Sequence, residues 1–238
     1  MAAHPPRIVA LGDAAVLAEF SDTLDLAVNA RIQQLAEAIR RRRVEWIDDV
    51  VPALGSLALH FDPERYALAI APLEAASALI KDCLSRKLPD LSDLVRTVEV
   101  PVCHDVAFGP DLQEVADRCR LSREEVIGRH CASPHRVLMV GFAPGHPYIG
   151  GLDEKLSVPR RTTPRPSVVA GSIAIANTQS VVYPFTISGG WNVIGRTPLS
   201  IFDATREPPA LMAPGDRVKF TAISREEYDR IAQAGSKP

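Results

Sequence analysis

The sequence predicts a two-layer α+β domain followed by an all-β barrel domain. Two observations lead to this prediction. Up to residue 104, short apolar runs alternate with segments in which apolar residues recur every three or four positions, which is the period of a helix with one buried face. After residue 134, β-branched runs are cut repeatedly by Gly and Pro, as in short strands joined by tight loops.

The first domain is predicted to follow a ββαββα plan. Gly12 and Gly55 mark the turns of two predicted strand pairs, because glycine accepts the backbone conformations of tight turns. Segments 24–42 and 72–88 carry apolar residues three or four apart, which indicates two amphipathic helices. Helices that cover one face of a mostly antiparallel sheet are typical of α+β domains.

The remaining segments complete the predicted organisation. RTVEVPVC, at 96–103, is expected to be the closing strand of the first domain, which then spans residues 1–104. Residues 105–134 are expected to form a helical connector, in which Asp111 suits the positive end of the first helix. Ser122 fits a capping box at the start of the second helix. The barrel domain is predicted over residues 135–238.

The composition argues against several classes of function. The 238 residues are 46% hydrophobic and 24% charged, with a net charge of -2, so we expect no general nucleic-acid binding, which requires a basic surface. The basic run Arg40–Arg43 is interpreted as the end of a helix, where cations complement the helix dipole. No apolar run approaches the roughly 20 residues that span a bilayer, and no membrane association is expected.

The cysteine and histidine patterns give no metal or disulfide signal. The four cysteines are scattered without close pairing, so neither a CxxC metal site nor a secreted disulfide framework is expected. HCASPH, at 130–135, has no recognised metal-ligand spacing. Without a signal-peptide pattern at the start, the expected location is the cytoplasm.

The barrel region carries an ordered series of motifs. They are GFAPG, YIGGLD, VPRRTTPRP, AGSIAIA, Gln179, Tyr183-Pro184, SGGWNVIGRTPLSIFD and PGDRVKF. This order resembles the carboxyltransferase subdomain C/D family, whose members include the B subunit of the ATP-dependent bacterial 5-oxoprolinase, the sporulation-kinase inhibitors and allophanate hydrolase subunit 1. The resemblance implies that the barrel is cyclophilin-like.

Arginines beside Pro and Gly turns are the first candidate site residues. A guanidinium group binds carboxylate or phosphate oxygens through two parallel hydrogen bonds, a geometry that lysine cannot copy. The alternative is that these arginines are solvated or pair with acidic residues of the same region, namely Asp153, Glu154 and Asp203. The resemblance favours a role in substrate binding for Arg160 and Arg165 and a catalytic role for Arg196.

Further candidates come from the glycine-rich and aromatic motifs. Gly190 allows close backbone approach and Trp191 can form the floor of a pocket, although both can equally serve a turn and the core. His146 stands where the family usually has an aromatic residue and introduces a titratable group. The substrate-binding candidates are therefore Arg160, Arg165, His146, Trp191, Gly190 and Ser172. Arg196, Gln179 and Tyr183 are the catalytic candidates.

The chain lacks the motifs of a self-contained enzyme. No GxxxxGK[ST] phosphate loop is found, and no nucleophile–base arrangement is evident in the sequence. The resemblance implies one subunit of an ATP-dependent 5-oxoprolinase, which opens 5-oxo-L-proline to L-glutamate, with ATP shared between this chain, a second carboxyltransferase-like subunit and a third subunit.

Two other functions stay open at this point. An inhibitor that docks onto a sensor histidine kinase would need an exposed apolar patch around Phe142, Tyr148 or Phe185. A carboxyltransferase or allophanate hydrolase component of urea breakdown is a third possibility, although the C/D unit of that pathway usually belongs to a much longer chain.

Overall fold

The computed structural model describes residues 5–67 and 70–235. The chain divides into two compact units, residues 1–95 and 96–238, and each has its own hydrophobic core. Within the described ranges, no helix has both the length and the apolar character needed to cross a membrane.

The first unit is a four-stranded antiparallel sheet with two helices. The strands are β1 (Arg7–Ala10), β2 (Ala15–Glu19), β3 (Asp49–Pro52) and β4 (Ser56–His60), in the order β1-β2-β4-β3. The helices are α1 (Leu26–Arg41) and α2 (Pro72–Ser85). Asp25 starts α1, because its carboxylate accepts hydrogen bonds from the Ala27 and Val28 amides. Ile32 and Leu35 of α1 are fully buried in the core of this unit, as the apolar spacing predicts.

Seven strands of the second unit close into a barrel over the described residues. They are β5 (Thr97–Cys103), β6 (Arg136–Val140), β7 (Pro147–Gly150), β9 (Ser172–Ala176), β10 (Gln179–Val182), β12 (Asn192–Arg196) and β13 (Arg217–Ile223). Their order around the barrel is β10-β7-β6-β13-β5-β12-β9. Two further strands, β8 (Arg165–Val168) and β11 (Ile187–Gly189), pair with each other in a separate sheet.

Among the described residues, three α-helices complete this unit: α3 (Leu112–Cys119), α4 (Arg123–Ala132) and α5 (Arg225–Gly235). The predicted capping box of α4 is present, since the Ser122 hydroxyl and the Glu125 carboxylate each accept a backbone N–H of the other residue. Asp111 stands before α3, but its carboxylate does not cap that helix.

The closing strand predicted for the first domain lies in the barrel instead. Thr97–Cys103 pairs in parallel with β13, from Thr97 opposite Arg217 to Cys103 opposite Ile223. Val100 and Val102 are fully buried in the core of the second unit, so the apolar face of this strand is covered there. The first compact unit accordingly ends at Val95, not at residue 104.

Strands β9, β10 and β12 of the barrel bury both of their faces. One buried cluster draws residues from all seven strands, for example Val100, Ile149 and Phe220, and is therefore the barrel interior. Ala174 and Val181 belong to a second cluster on the opposite face of the same strands, since successive side chains of a strand alternate. This outer cluster also contains Val168 of β8.

Candidate functional site

A pocket of about 290 Å³ opens beside the outer cluster of the barrel. Its lining comes from the loops that precede β7, β8 and β12 and from the strands themselves. The lining residues are Phe142, His146, Tyr148, Arg160, Arg161, Pro164, Tyr183, Ser188, Gly189, Gly190 and Trp191. Nearly all of them belong to the glycine- and proline-rich motifs of the sequence.

A continuous series of rings forms the wall of the pocket. The His146 ring lies 5.5 Å from Phe142, 5.1 Å from Tyr148 and 5.4 Å from Tyr183, measured between ring centroids. Tyr148 lies 6.1 Å from Trp191 in an edge-to-face arrangement, which is the geometry that aromatic pairs prefer. The pocket therefore offers flat apolar surface with few polar groups.

Arg160 supplies the free positive charge of the pocket. Its guanidinium lies 5.3 Å from the Trp191 ring centroid, a cation–π contact. Arg160 is exposed, and within residues 5–67 and 70–235 no carboxylate pairs with it. Its hydrogen-bonding fork is available to a ligand.

Arg161 and Arg165 are bound to a buried carboxylate. Arg165 makes two hydrogen bonds to Asp111, at 2.7 and 2.6 Å, and Arg161 donates to Asp111 at 2.9 Å and to Glu114 at 3.1 Å. Asp111 is 3% exposed and also accepts the Val193 amide. This cluster fixes the arginine-rich loop against β12. The sequence offers Asp153, Glu154 and Asp203 as acidic partners because they lie near these arginines along the chain. The partner in the fold, Asp111, lies 50 positions before Arg161 and 54 before Arg165.

His146 is neutral near pH 7. It is 2% exposed, and burial lowers the pKa of its imidazole to about 4. Its Nδ1 atom has no hydrogen-bond partner within the described part of the chain. The ring therefore contributes an uncharged aromatic surface to the pocket and no acid catalyst at neutral pH.

Tyr183 keeps its proton. It is 1% exposed, and burial raises the pKa of its phenol to about 12. A protonated phenol can donate a hydrogen bond to a ligand oxygen. It cannot act as a general base near pH 7.

Comparison with known proteins agrees with the order of motifs along the chain. A sequence profile described as "Carboxyltransferase domain, subdomain C and D" matches residues 6–212. The chain belongs to this family. It is 37% identical over 227 residues to the 5-oxoprolinase B subunit of Bacillus subtilis, covering 93% of this chain and 95% of that protein. It is also 37% identical over 215 residues to the protein of the same name from Escherichia coli O157:H7, covering 90% and 94% of the two chains.

The present chain also shares its fold with a solved structure. The crystal structure of TTHA0988 superposes with a TM-score of 0.75 at 35% identity, over 89% of this chain. The match covers 40% of the TTHA0988 chain, so the present chain spans less than half of that protein.

Other residues predicted for the carboxyltransferase-family site lie outside the pocket lining. The guanidinium carbon of Arg196, at the end of β12, lies 4.6 Å from the Phe108 ring centroid. The guanidinium carbon of Arg225 lies 4.5 Å from the same centroid. Ser172 pairs with Arg196 between β9 and β12 and is 2% exposed. Gln179 begins β10, and its amide nitrogen has no partner in the described ranges.

The structure thus brings together one part of the predicted site. His146, Arg160, Tyr183, Gly190 and Trp191 share the pocket. Arg165 binds the Asp111 carboxylate. Arg196 and Ser172 lie opposite each other on β12 and β9, outside the pocket lining, and Gln179 does not line the pocket either. The roles proposed for these residues stay predictions.

Sequence reasoning missed one residue that holds the arginine-rich loop beside the pocket, Asp111. The sequence predicts that the Asp111 carboxylate stabilises the positive end of a helix. The fold shows that it instead accepts hydrogen bonds from Arg161 and Arg165. A buried carboxylate usually requires cationic partners, but no local pattern indicates which aspartates become buried.

Gly189→Ala is expected to disrupt the pocket. A Cβ atom at Gly189 would clash with Tyr183 Oη, whereas a Cβ atom at Gly190 would meet nothing closer than Pro164 Cγ at 3.6 Å. We expect Gly189→Ala to cost about 1–3 kcal/mol of unfolding free energy and to move Tyr183, measured by urea unfolding and by Trp191 fluorescence in a Trp46→Phe background. Gly190→Ala is the matched control with near wild-type values. Equal stability of the two variants would contradict this account of the pocket.

Proposed function

We propose that this chain is the B subunit of a multi-subunit, ATP-dependent 5-oxoprolinase, which opens 5-oxo-L-proline to L-glutamate as ATP is hydrolysed. The observation that carries the proposal is the pocket itself: flat ring walls and one free guanidinium suit a small, ring-shaped acid. The near full-length similarity to proteins named as 5-oxoprolinase B subunits supports the same substrate.

The proposal includes partner subunits because the pocket holds no hydrolytic machinery of its own. Among its lining residues as described, none is a carboxylate, Tyr183 is protonated, and burial lowers the pKa of His146 to about 4, which makes its neutral imidazole a weak base. A water molecule needs a base to activate it for attack on an amide. We therefore propose that a second carboxyltransferase-like subunit and a third subunit supply the missing groups.

We assign ATP to the assembled complex and not to this pocket. A single free guanidinium does not match the charge of a triphosphate. Within the described ranges, no three His, Cys, Asp or Glu side chains are grouped to hold a metal ion. A cytoplasmic location and the cyclophilin-like description of the barrel stay part of the proposal.

Tyr183 has the clearest proposed role among the catalytic candidates. Its phenol lines the pocket and can donate a hydrogen bond to the lactam oxygen. Phosphorylation of that oxygen would make the ring carbonyl carbon a better electrophile for water, and the ring opens when the C–N bond breaks and the nitrogen takes up a proton. Arg196 and Gln179 would contact substrate only where the assembled site extends beyond this pocket.

The test is 5-oxoproline-dependent ATP hydrolysis by this chain, alone and after co-expression with the two candidate partner subunits. We expect activity only in the mixture. A mixture that assembles and hydrolyses no ATP in the presence of 5-oxoproline would refute the proposed substrate. Failure to assemble would favour a stand-alone binding protein.

Arg196→Lys tests the predicted catalytic arginine. If Arg196 binds an anion in the assembled complex, kcat should fall roughly tenfold or more while the fold stays intact, because lysine loses the bidentate geometry. Arg225→Lys is the matched control, since Arg225 stacks on the same Phe108 ring but is paired with Asp229. Equal effects of the two variants would show that Arg196 serves only the stacking.

A second candidate function is supported by exposed apolar residues near the pocket. Phe142 is 70% exposed and Phe185 is 36% exposed, and an exposed apolar patch is the feature that an inhibitor of a sensor histidine kinase requires. The same surface can also receive another protein of the complex. Binding to the dimerisation region of a sensor kinase, with no assembly with the other subunits, would favour the inhibitor.

A further inference from the structure

The first unit contains a cavity of about 280 Å³ that has no role in the proposed function. All of its lining residues belong to this unit and come from β1, the end of β2, α1 and α2. Ile8, Phe20 and Leu84 form an apolar wall, together with Pro5 and Pro6. The first three side chains are only half-buried and pack against the core of the unit. The cavity therefore exposes apolar surface that a ligand can cover.

Two positively charged side chains line the same cavity, Arg31 of α1 and Lys81 of α2. Within residues 5–67 and 70–235, neither side chain makes an ion pair or a hydrogen bond. Asp82, the acidic neighbour of Lys81 in the sequence, binds Arg42 at 2.6 Å and Arg86 at 3.0 Å. None of the lining residues in the described ranges is acidic. The cavity thus combines an apolar wall with two unpaired cations.

This combination indicates a ligand that is both apolar and negatively charged. A single lysine or arginine on a helix surface is commonly solvated and needs no ligand. Arg31 and Lys81 differ from that case because they come from two helices and line one apolar cavity. Like charges in one cavity repel each other, and an anion between them removes the repulsion. A purely polar anion would leave the apolar wall uncovered, whereas a neutral hydrocarbon would leave both cations without a partner.

We propose that this cavity binds a small organic acid with an apolar body. The carboxylate lies between Arg31 and Lys81, and a short hydrocarbon chain covers Ile8, Phe20 and Leu84. The planar guanidinium of Arg31 can bind both carboxylate oxygens through parallel hydrogen bonds, and the ammonium of Lys81 adds a compact positive charge. The volume lies just below the range of about 300–1,000 Å³ for small-molecule sites, which suits a short body. Since the cavity belongs to the first unit, the inference does not depend on the proposed function.

Titration of the full-length, ¹⁵N-labelled chain with hexanoate, acetate and 1-hexanol tests the site by NMR. We expect hexanoate to shift the backbone amide signals of Ile8, Phe20, Arg31 and Leu84 until they saturate. Its dissociation constant should be roughly tenfold or more below those of acetate, which lacks the apolar body, and 1-hexanol, which lacks the charge. Equal affinity for the three compounds would overturn the inference. So would the absence of saturable shifts at these amides, or shifts confined to residues around Trp191.

Charge-removing variants assign the binding to the two cations. Arg31→Gln and Lys81→Gln should each raise the dissociation constant of hexanoate about tenfold, because each removes one charge-assisted contact. Lys87→Gln is the matched control, since Lys87 is an exposed lysine beyond the end of α2 that does not line the cavity. It should bind hexanoate as the parent chain does, and circular dichroism checks that all three variants are folded. Equal losses in Lys81→Gln and Lys87→Gln, or parent-like binding by both Arg31→Gln and Lys81→Gln, would overturn the inference.

Discussion

Lowering the pH from 7.5 to 4.5 is expected to reduce the unfolding free energy of the second unit by roughly 5 kcal/mol. The cause is burial of imidazoles in the neutral state. Burial lowers the pKa of His135 and of His146 to about 4 in the fold. Burial also lowers the pKa of His130 far below its usual range and that of His104 to a lesser extent.

The direction of the effect follows from where the protons bind. In the unfolded chain these imidazoles titrate near pH 6.5, whereas in the fold His135 and His146 stay neutral until about pH 4. Unfolding therefore takes up protons between pH 6.5 and pH 4, and stability falls as the pH falls through that window. A carboxylate with a lowered pKa, such as Asp153, loses its stabilising effect as the pH falls from its ordinary pKa of 3.8 towards the lowered one, which is below the measured range. Urea unfolding at pH 7.5, 6.5, 5.5 and 4.5 measures the loss.

His146→Phe isolates one of these contributions. The ring lies among Phe142, Tyr148 and Tyr183, so phenylalanine keeps the apolar contacts and removes the titration. We expect the pH-dependent loss of stability to shrink by about 2–3 kcal/mol. A variant with the same pH profile as the parent chain would show that His146 is not buried in the neutral form.

Replacing Asp111 with asparagine is expected to destabilise the second unit by about 3 kcal/mol. Asp111 is nearly fully buried and accepts hydrogen bonds from Arg161, Arg165 and the Val193 amide. Removal of its charge leaves two partly buried guanidinium groups without a full counterion. Thermal and urea unfolding give the change, and the loop that carries Arg160 should lose its fixed position at the same time.

Glu114→Gln is the matched control for Asp111→Asn. Glu114 also accepts a hydrogen bond from Arg161 but is 43% exposed, and exposed ion pairs contribute about 0–1 kcal/mol. A double-mutant cycle of Asp111→Asn with Arg165→Gln should show strong coupling. Additive effects in that cycle would contradict the role given to this ion pair.

The sequence was sufficient to predict most of the elements and five residues of the pocket. Helix α1 follows from apolar residues at helical spacing and from Asp25, and the pocket's Gly190 and Trp191 lie in motifs that the sequence identifies. Local patterns determine such features, because capping and amphipathic spacing act within a few residues.

The features that the sequence did not predict depend on contacts between residues far apart in the chain. Nothing in RTVEVPVC distinguishes a sheet neighbour in the first unit from β13, more than a hundred residues later. Arg196 and Trp191 lie on the same short stretch, yet the strand between them separates their side chains into two locations. A strand extends about 3.3 Å per residue, so neighbours in a motif need not share a site.

The parallel pairing of β5 with β13 sets the order in which the second unit can be completed during synthesis. β5 is the barrel's first strand along the chain and β13 its last, and every strand that carries the pocket lies between them. The ring of strands cannot close until Ile223 has emerged from the ribosome, whereas the first unit is complete at residue 95. Contacts of such large sequence separation slow folding, so the nascent barrel spends that interval with unpaired strand edges that are prone to aggregation.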